Sequence, residues 1–368
     1  MKKILLLIAF LFCVGVAFAQ ETALTSDANS KYTPMWSPDD TTILYTYQDL
    51  VDQQIGIVTT AGVQTSLTTD ATDPYFKDFP VWSPDGADVA FQKLNGTKYQ
   101  IFKMDVGTQV QTRLTSNAAY SHSRPEYNPA GTLIAYYIDP TFSNNNQIAV
   151  VSSAGGAETN LTNKTYDHEV PRWNHAGTRL VYEASSSLGD NKQIGIVNSN
   201  GANETNLTSF AEDHETPQWS PDDAWVVYSR YNSTSNNYEL WKVPSAGGAE
   251  VQVLADPSFS LINPQWSSDG STILYVMTDW ATGAIYTVSS SGGVPTSIIS
   301  DAFDNQVPQY NSDDSRIAFT KYDATGYNQV YDYDFNGPVG AAPEFSTVTL
   351  IMAVLVGLAG IFVLRKRK

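Results

Sequence analysis

The segment P-Q-W-S-P-D-D at residues 217–223 places a proline, an aromatic residue and a tight turn within seven positions. Six other segments repeat its order of residue types, with leading prolines 44 to 47 residues apart. They are P-M-W-S-P-D-D (34–40), P-V-W-S-P-D-G (80–86), P-E-Y-N-P-A-G (125–131), P-R-W-N-H-A-G (171–177), P-Q-W-S-S-D-G (264–270) and P-Q-Y-N-S-D-D (308–314). A period in the mid-forties accommodates four short strands with their turns, which is one propeller blade. The sequence therefore predicts an all-β fold, a seven-bladed β-propeller over residues 20–336.

Each repeat predicts the same succession of strands. The Pro-x-aromatic segment begins a strand, and S-P-D-G forms a tight turn because proline fixes φ and Asp or Gly tolerates positive φ. Two apolar strands follow, then a polar strand that ends in Leu-Thr or a similar pair. An aromatic residue at one position of every repeat predicts packing between blades rather than a ligand platform.

The seventh repeat ends near Asn336 without its last strand, whereas E-T-A-L-T at residues 21–25 matches Q-T-R-L-T at 111–115. We therefore expect the N-terminal segment to supply the outer strand of the last blade. Such pairing covers a sheet edge and closes the ring without a covalent bond.

Composition limits the function classes. The chain has 368 residues, 42% of them hydrophobic, which excludes wholesale disorder. Its formal net charge is −17. Nucleic acids are therefore excluded as partners, because binding to phosphates depends on clustered cations.

The N-terminus has the pattern of a secretory signal peptide over residues 1–19. Two lysines precede an apolar run, and Ala17-Phe18-Ala19 provides small residues at the expected cleavage site. The alternative is an uncleaved membrane anchor. Cys13 is the only cysteine and lies in this segment, so the mature chain can have no disulfide bond and no thiolate metal site.

The C-terminus predicts a transmembrane helix over residues 346–364, because nineteen residues without a charge span about 28 Å as a helix. A basic tail at 365–368 follows and would stay on the cytoplasmic side. The rest of the chain would then lie outside the cell. After both ends are removed, residues 20–342 hold 15 basic and 37 acidic residues.

A linker at 337–345 ends in Pro343-Glu344-Phe345, directly before the predicted helix. This order resembles the PEF-CTERM sorting tail of archaeal surface proteins. The resemblance implies an archaeosortase as a processing partner and anchoring at the cell surface. The alternative is an ordinary C-terminal membrane anchor, and both place the protein on the outer surface.

The W-S-P-D-G repeat resembles the TolB-type, WD-like propeller repeat over nearly the whole mature chain. The resemblance implies the fold, but it does not point to a single activity. Such propellers act as binding scaffolds, as substrate gates of peptidases and, less often, as enzymes.

Three of the four histidines, His122, His168 and His214, lie three residues before the repeat proline in consecutive blades. If they faced the central channel together, they could bind a divalent metal such as Zn or Mn. Glu169 and Glu215 would orient the rings or complete the ligand shell. A family of propeller lyases that act on oligogalacturonate is similar in holding a metal with channel histidines. The alternative is that the duplicated repeats share a histidine that caps a turn.

Six Asn-x-Ser/Thr sequons are candidates for glycosylation in an exported protein. They are Asn95, Asn160, Asn163, Asn203, Asn206 and Asn232.

The sequence favours a non-enzymatic, surface-anchored propeller that binds a protein, peptide or glycan and needs no cofactor. The alternative is a metal-dependent polysaccharide lyase or hydrolase that uses the channel histidines. A third reading is a purely structural component of the envelope. The sequence has no G-x-S-x-G, H-E-x-x-H or phosphate-binding glycine motif.

Overall fold

The computed structural model describes residues 20–48, 52–69, 73–140, 145–185, 191–209 and 212–337. The predicted signal peptide, the PEF motif, the membrane helix and the basic tail lie outside these residues. Within the described residues, no helix is long and apolar enough to cross a membrane. Thr22–Asp332 forms one compact unit. The second unit, Met1–Glu21 with Tyr333–Lys368, is described only at 20–21 and 333–337.

The described residues form seven sheets of four antiparallel strands, which confirms the predicted seven-bladed propeller. The first strand of each blade starts just before the repeat proline. These inner strands are β2 (Lys31–Trp36), β6 (Lys77–Trp82), β10 (Ser121–Tyr127), β14 (Asp167–Trp173), β18 (His214–Trp219), β22 (Ser260–Trp266) and β26 (Asp304–Tyr310).

The second strands follow the S-P-D turns and are largely buried because neighbouring blades pack on both of their faces. They are β3 (Thr42–Gln48), β7 (Asp88–Asn95), β11 (Leu133–Asp139), β15 (Arg179–Ser185), β19 (Trp225–Asn232), β23 (Thr272–Thr278) and β27 (Arg316–Tyr322). The third strands are β4 (Gln53–Thr59), β8 (Lys98–Asp105), β12 (Gln147–Ser152), β16 (Gln193–Asn198), β20 (Asn237–Pro244), β24 (Gly283–Ser289) and β28 (Asn328–Asp334).

The outer strands are short and mostly exposed. They are β5 (Gln64–Ser66), β9 (Gln111–Arg113), β13 (Thr159–Asn160), β17 (Thr205–Asn206), β21 (Val251–Leu254), β25 (Thr296–Ile299) and β1 (Gln20–Ala23). β1 lies beside β28 in the sheet order β1-β28-β27-β26. The prediction that the N-terminal strand completes the last blade is confirmed.

The Leu-Thr pair that ends an outer strand has a definite structural role. In the first blade the Thr68 hydroxyl accepts a hydrogen bond from the Ile55 amide at 2.9 Å. In the last blade the Thr25 hydroxyl accepts the corresponding bond from the Val330 amide at 2.9 Å. The N-terminal copy of the motif therefore does in the seventh blade what the other copies do in theirs.

The hydrophobic core lies between blades. One cluster joins Leu24 and Val330 of the last blade to Trp36 and Ile43 of the first. Three repeat tryptophans, Trp82, Trp173 and Trp219, also donate a hydrogen bond to a carbonyl of the preceding blade, as Trp219 Nε1 does to the Arg172 carbonyl at 3.0 Å. The predicted role of the aromatic position in the inter-blade core is confirmed.

The blade ends define two faces. The turn face carries the S-P-D turns and the turns between third and fourth strands. The loop face carries the loops between second and third strands and the connections from one blade to the next. Inner strands run from the loop face to the turn face.

Candidate functional site: the central channel and the loop face

Every inner strand has a bulge beside its repeat proline, where two residues face one on the second strand. The residue before each proline has a φ between 48° and 55°. Positive φ is unfavourable for residues other than glycine, and a following proline disfavours helical backbone further. Each such position costs on the order of 1–3 kcal/mol. The seven residues are Thr33, Phe79, Arg124, Val170, Thr216, Asn263 and Val307.

These seven strained residues line one cavity of about 570 Å³ among the inner strands. The bulge turns the residues on both sides of the proline towards it. The two positions that flank the repeat proline therefore line the channel in every blade, and Glu169, Glu183, Lys192 and Glu215 join them in blades 4 and 5. The flanking positions vary from blade to blade, whereas the packed positions of the repeat do not.

The charged residues of the channel lining are confined to one side of the ring of blades. Blades 6, 7 and 1 contribute neutral side chains such as Asn263, Val307 and Thr33. Blades 2 to 5 contribute an aromatic ring and seven ionisable groups. These lining residues are Phe79, Arg124, Glu126, Glu169, Arg172, Glu183, Lys192 and Glu215.

Two cations of the lining have different partners. Arg172 Nη1 lies 2.7 Å from Glu126 Oε2 in an ion pair. Arg124 lies over the Phe79 ring, with Cζ 4.2 Å from the ring centroid. A guanidinium on an aromatic face keeps most of its N–H donors free for a ligand.

Glu183, Lys192 and Glu215 form a cluster where the channel reaches the loop face between blades 4 and 5. Lys192 Nζ lies 3.0 Å from Glu183 Oε2 and 3.2 Å from Glu215 Oε1. Burial raises the pKa of Glu183, which also accepts a hydrogen bond from the Thr216 amide at 2.8 Å. Burial works against the Lys192 ammonium, but the two carboxylates outweigh it and raise the lysine's pKa.

Two buried polar atoms of the lining have no hydrogen-bond partner among the described residues. They are Thr33 Oγ1 and Arg172 Nε. Buried polar groups are nearly always paired, so these atoms are available to a ligand in the channel.

The three predicted metal-binding histidines do not meet. Each ring is buried, with its Nε2 facing the carboxylate that precedes the outer strand of its own blade; His122 and His168 hydrogen-bond to theirs, whereas His214 is only in ion-pair range of its carboxylate. Their distances are 2.9 Å for His122–Glu158, 3.1 Å for His168–Glu204 and 3.5 Å for His214–Glu250. In the part of the chain that the structure describes, no group of three or more His, Cys, Asp or Glu side chains could hold one metal ion.

The physical reason is the direction in which the side chain points at the third position before the repeat proline. Each histidine Nδ1 faces a backbone carbonyl of the preceding blade, such as Asn146 O at 3.2 Å from His168. The last blade has Asn305 at this position, and its Nδ2 bonds in the same way to Gly283 O at 3.0 Å. The position therefore ties an inner strand to the preceding blade and does not face the channel. The expectation that the histidines converge on the axis was wrong.

The two glutamates predicted with them are placed differently. Glu169 and Glu215 line the channel, and Glu215 pairs there with Lys192. Glu169 accepts a hydrogen bond from Asn146 Nδ2 at 2.6 Å. The sequence did not reveal the other channel residues, because they occupy repeat positions whose residue type differs from blade to blade. Only the positions that keep one residue type can be recognised from the repeat.

The exposed apolar side chains are divided between the two faces. Among the described residues, all seven large aromatic side chains that are exposed lie at the loop-face ends of the blades. They are Tyr32, Tyr75, Phe259, Trp280, Phe303, Tyr322 and Tyr327. The exposed large aliphatic residues lie towards the turn face and are Val63, Val110, Val251 and Val294. Clustered exposed aromatic residues mark interaction surfaces.

The chain belongs to the TolB β-propeller domain family, whose model matches residues 13–259 and 178–349. No curated protein matches the chain.

Solved structures share the fold at low identity. An oligogalacturonate lyase in complex with manganese is 17% identical, with a TM-score of 0.70 over 87% of this chain and 94% of that one. An oligogalacturonate lyase from Vibrio parahaemolyticus is 16% identical, with a TM-score of 0.68 over 86% and 93%. A putative TolB from Agrobacterium tumefaciens is 18% identical, with a TM-score of 0.53 over 75% and 95%. At these identities the likeness concerns the fold alone.

Proposed function

We propose that this protein is a non-enzymatic binding protein of the outer cell surface. Its loop face, with the channel mouth at the centre, receives a protein, peptide or glycan ligand. The observation that carries the proposal is the restriction of all exposed large aromatic residues of the described chain to this face. The charged side of the channel, with Arg124 stacked on Phe79 and an unpaired Nε donor at Arg172, supports the same face.

The metal-dependent lyase or hydrolase is the less favoured alternative. Two fold neighbours are lyases, one of them in complex with manganese, but they share fold alone with this chain. The histidines that would hold a metal are instead paired one by one with Glu158, Glu204 and Glu250.

The experiment is a binding screen of the full-length protein on peptide and glycan arrays. Binding to any hit is then compared among Arg124→Ala in the channel, Trp280→Ala on the loop face and Val294→Glu on the turn face. Val294 is 91% exposed, so its substitution disturbs no packing. We expect the loop-face or channel variants to weaken binding and Val294→Glu to leave it unchanged.

The opposite pattern, in which only Val294→Glu abolishes binding, would assign the ligand to the turn face. Cleavage of a polysaccharide that depends on an added divalent metal would replace the proposal with the enzymatic alternative. Substitution of His122 then tests whether that activity uses the buried histidines at all.

The surface location is tested on cells. We expect protease treatment of intact cells to remove the propeller, since the predicted helix at 346–364 and the tail at 365–368 leave it outside. Replacing Pro343-Glu344-Phe345 with alanines should block C-terminal processing by an archaeosortase-type enzyme. A native protein that retains Lys368 would favour a simple membrane anchor.

A further inference from the structure

Trp280 is an unusual residue of the loop face. Its side chain is 65% exposed, more than any other large aromatic side chain of the described residues. Its φ is 69°, which is unfavourable for a bulky residue. Exposure of an indole and backbone strain both oppose folding, and such features concentrate at binding sites.

The loop holds the Trp280 backbone in place. The Trp280 amide donates a hydrogen bond to Thr278 Oγ1 at 2.8 Å. Asp279 Oδ1 accepts bonds from the amides of Ala281 and Thr282, both at 2.9 Å. The indole is therefore presented by an ordered turn, and little conformational entropy is lost when a ligand contacts it.

The Trp280 indole contacts a tyrosine of blade 5, which in turn contacts a second tyrosine of that blade. The Tyr238 and Trp280 ring centroids are 6.3 Å apart at an interplanar angle of 72°. Tyr231 contacts Tyr238 at 5.4 Å and 62°. We call Tyr231, Tyr238 and Trp280 the aromatic ladder.

The ladder lies in a negative field. Burial, followed by the carboxylates of Glu215 and Asp213, raises the pKa of Tyr238. The nearby Lys192 is shared between Glu183 and Glu215 and does not reverse this field. The whole chain carries a net charge of −17, so cations are attracted to its surface.

We propose that the aromatic ladder, with Trp280 as its contact residue, binds a Lys or Arg side chain of a peptide or protein partner. The proposal rests on the proposed function, because it names the ligand chemistry of the same loop face. A cation over an indole face is attracted by the ring quadrupole. The carboxylates around Tyr238 add charge–charge attraction for a cation, which a neutral sugar does not receive.

The test uses the full-length protein and three probes at low and high salt. They are a Gly/Ser peptide carrying several arginines, the same peptide with glutamates in their place, and a neutral glucose oligosaccharide. Trp280→Ala is compared with Val294→Ala, which removes an exposed apolar side chain of the turn face, 91% exposed. Thermal unfolding of both variants checks that the fold is retained.

We expect the arginine peptide to bind, and to bind more weakly as salt increases. Trp280→Ala should weaken this binding by about 5- to 30-fold. Val294→Ala should change it by less than about twofold, because a single exposed apolar residue away from the contact contributes little.

No binding of the arginine peptide, or equal binding by Trp280→Ala and the native protein, overturns the inference. Binding of the neutral oligosaccharide that Trp280→Ala abolishes would make the ladder a glycan platform instead. A ligand that Arg124→Ala loses but Trp280→Ala retains would leave the proposed function standing and refute only the role of the ladder.

Discussion

The Asp40 carboxylate accepts hydrogen bonds from the Ser312 amide at 3.0 Å and from the Ser312 hydroxyl at 2.5 Å, across 272 residues of chain. Asp40 is the seventh residue of the first P-x-W-S-P-D-D segment, and Ser312 is the fifth residue of the last. These bonds fasten the last blade to the first on the turn face. They act together with the N-terminal strand β1, which pairs with β28 and completes the last sheet.

The same link joins two other pairs of neighbouring blades. Asp223 accepts a bond from the His175 amide at 2.8 Å, and Asp314 accepts one from the Ser268 amide at 2.6 Å. In the remaining four junctions the fifth residue is proline, which has no N–H. The next blade then has glycine at its seventh position, stacked against that proline ring. These junctions are Pro38/Gly86, Pro84/Gly131, Pro129/Gly177 and Pro221/Gly270.

A double-mutant cycle at Asp40 and Ser312 tests whether the seventh residue of one blade is matched to the fifth residue of the preceding blade, as aspartate with an N–H donor or glycine with proline. Asp40→Gly should destabilise the protein by about 1–2 kcal/mol, because it removes hydrogen bonds to a carboxylate that is partly exposed. Ser312→Pro alone should also destabilise it. The double variant recreates a proline/glycine junction. We therefore expect its loss of stability to be about 1 kcal/mol smaller than the sum of the losses of the two single variants. Urea unfolding measures all four proteins, and strict additivity would contradict this matching.

Closure of the last blade depends on Thr25. Its hydroxyl donates to Gln329 Oε1 at 2.7 Å and accepts from the Val330 amide. Thr25→Val keeps the shape but leaves both buried partners unpaired, so we expect a loss of about 1–3 kcal/mol. Thr22→Val is the control three residues earlier, since Thr22 is exposed. Equal melting temperatures for the two variants would show that the hydrogen bonds of the Thr25 hydroxyl contribute nothing to stability. Deletion of residues 20–26 should cost more than either substitution.

The buried His–Glu pairs predict a dependence on pH. Burial disfavours the charged form of Glu158, but the interactions with His122, the Ser116 amide and Tyr136 together outweigh it and lower the glutamate's pKa. The Glu250 pKa is lowered in the same way beside His214. A lowered pKa stabilises the fold above the unfolded value of about 4.3, and this contribution is lost as pH falls below it.

Glu158→Gln and Glu250→Gln should therefore lower the melting temperature at neutral pH, and the difference from the native protein should shrink in acid. Because the two pairs lie in different blades, their effects should add. A chelator should change nothing if each pair is independent. A metal-dependent loss of stability, or strong coupling between the two sites, would restore the shared metal site.

The sequons differ in accessibility. Asn95, Asn160, Asn163, Asn203 and Asn206 are exposed. Asn232 is half-buried, and its Nδ2 donates to Glu239 Oε1 at 2.6 Å, so its amide is already engaged. In the native host we expect glycopeptide mass spectrometry to find modification among the first five and none at Asn232. Modification confined to Asn232 would contradict this expectation.

The fold could be predicted because its determinants are local. A seven-residue segment with fixed spacing specifies a strand and a tight turn in each blade, and the count of these segments gives the number of blades. The offset of the Leu-Thr motif predicted that residues 21–25 complete the last blade. Packing positions must recur in each blade because each faces the same neighbour, which makes them visible in a single sequence.

The candidate site could not be predicted in the same way. His122, His168 and His214 recur at one repeat position, but a side chain's direction depends on a bulge of the inner strand. The bulge turns Arg124 and Glu126 to the channel and leaves the histidines between blades.

The sequence by itself determined the number of blades, their strand order and the exchange of the N-terminal strand, since each follows from short segments and their spacing. Only the tertiary structure decided which side chains meet. Glu183, Lys192 and Glu215 come together across two blades, as do Tyr238 and Trp280. Such contacts depend on how neighbouring sheets pack and twist, and no local pattern in the chain encodes them.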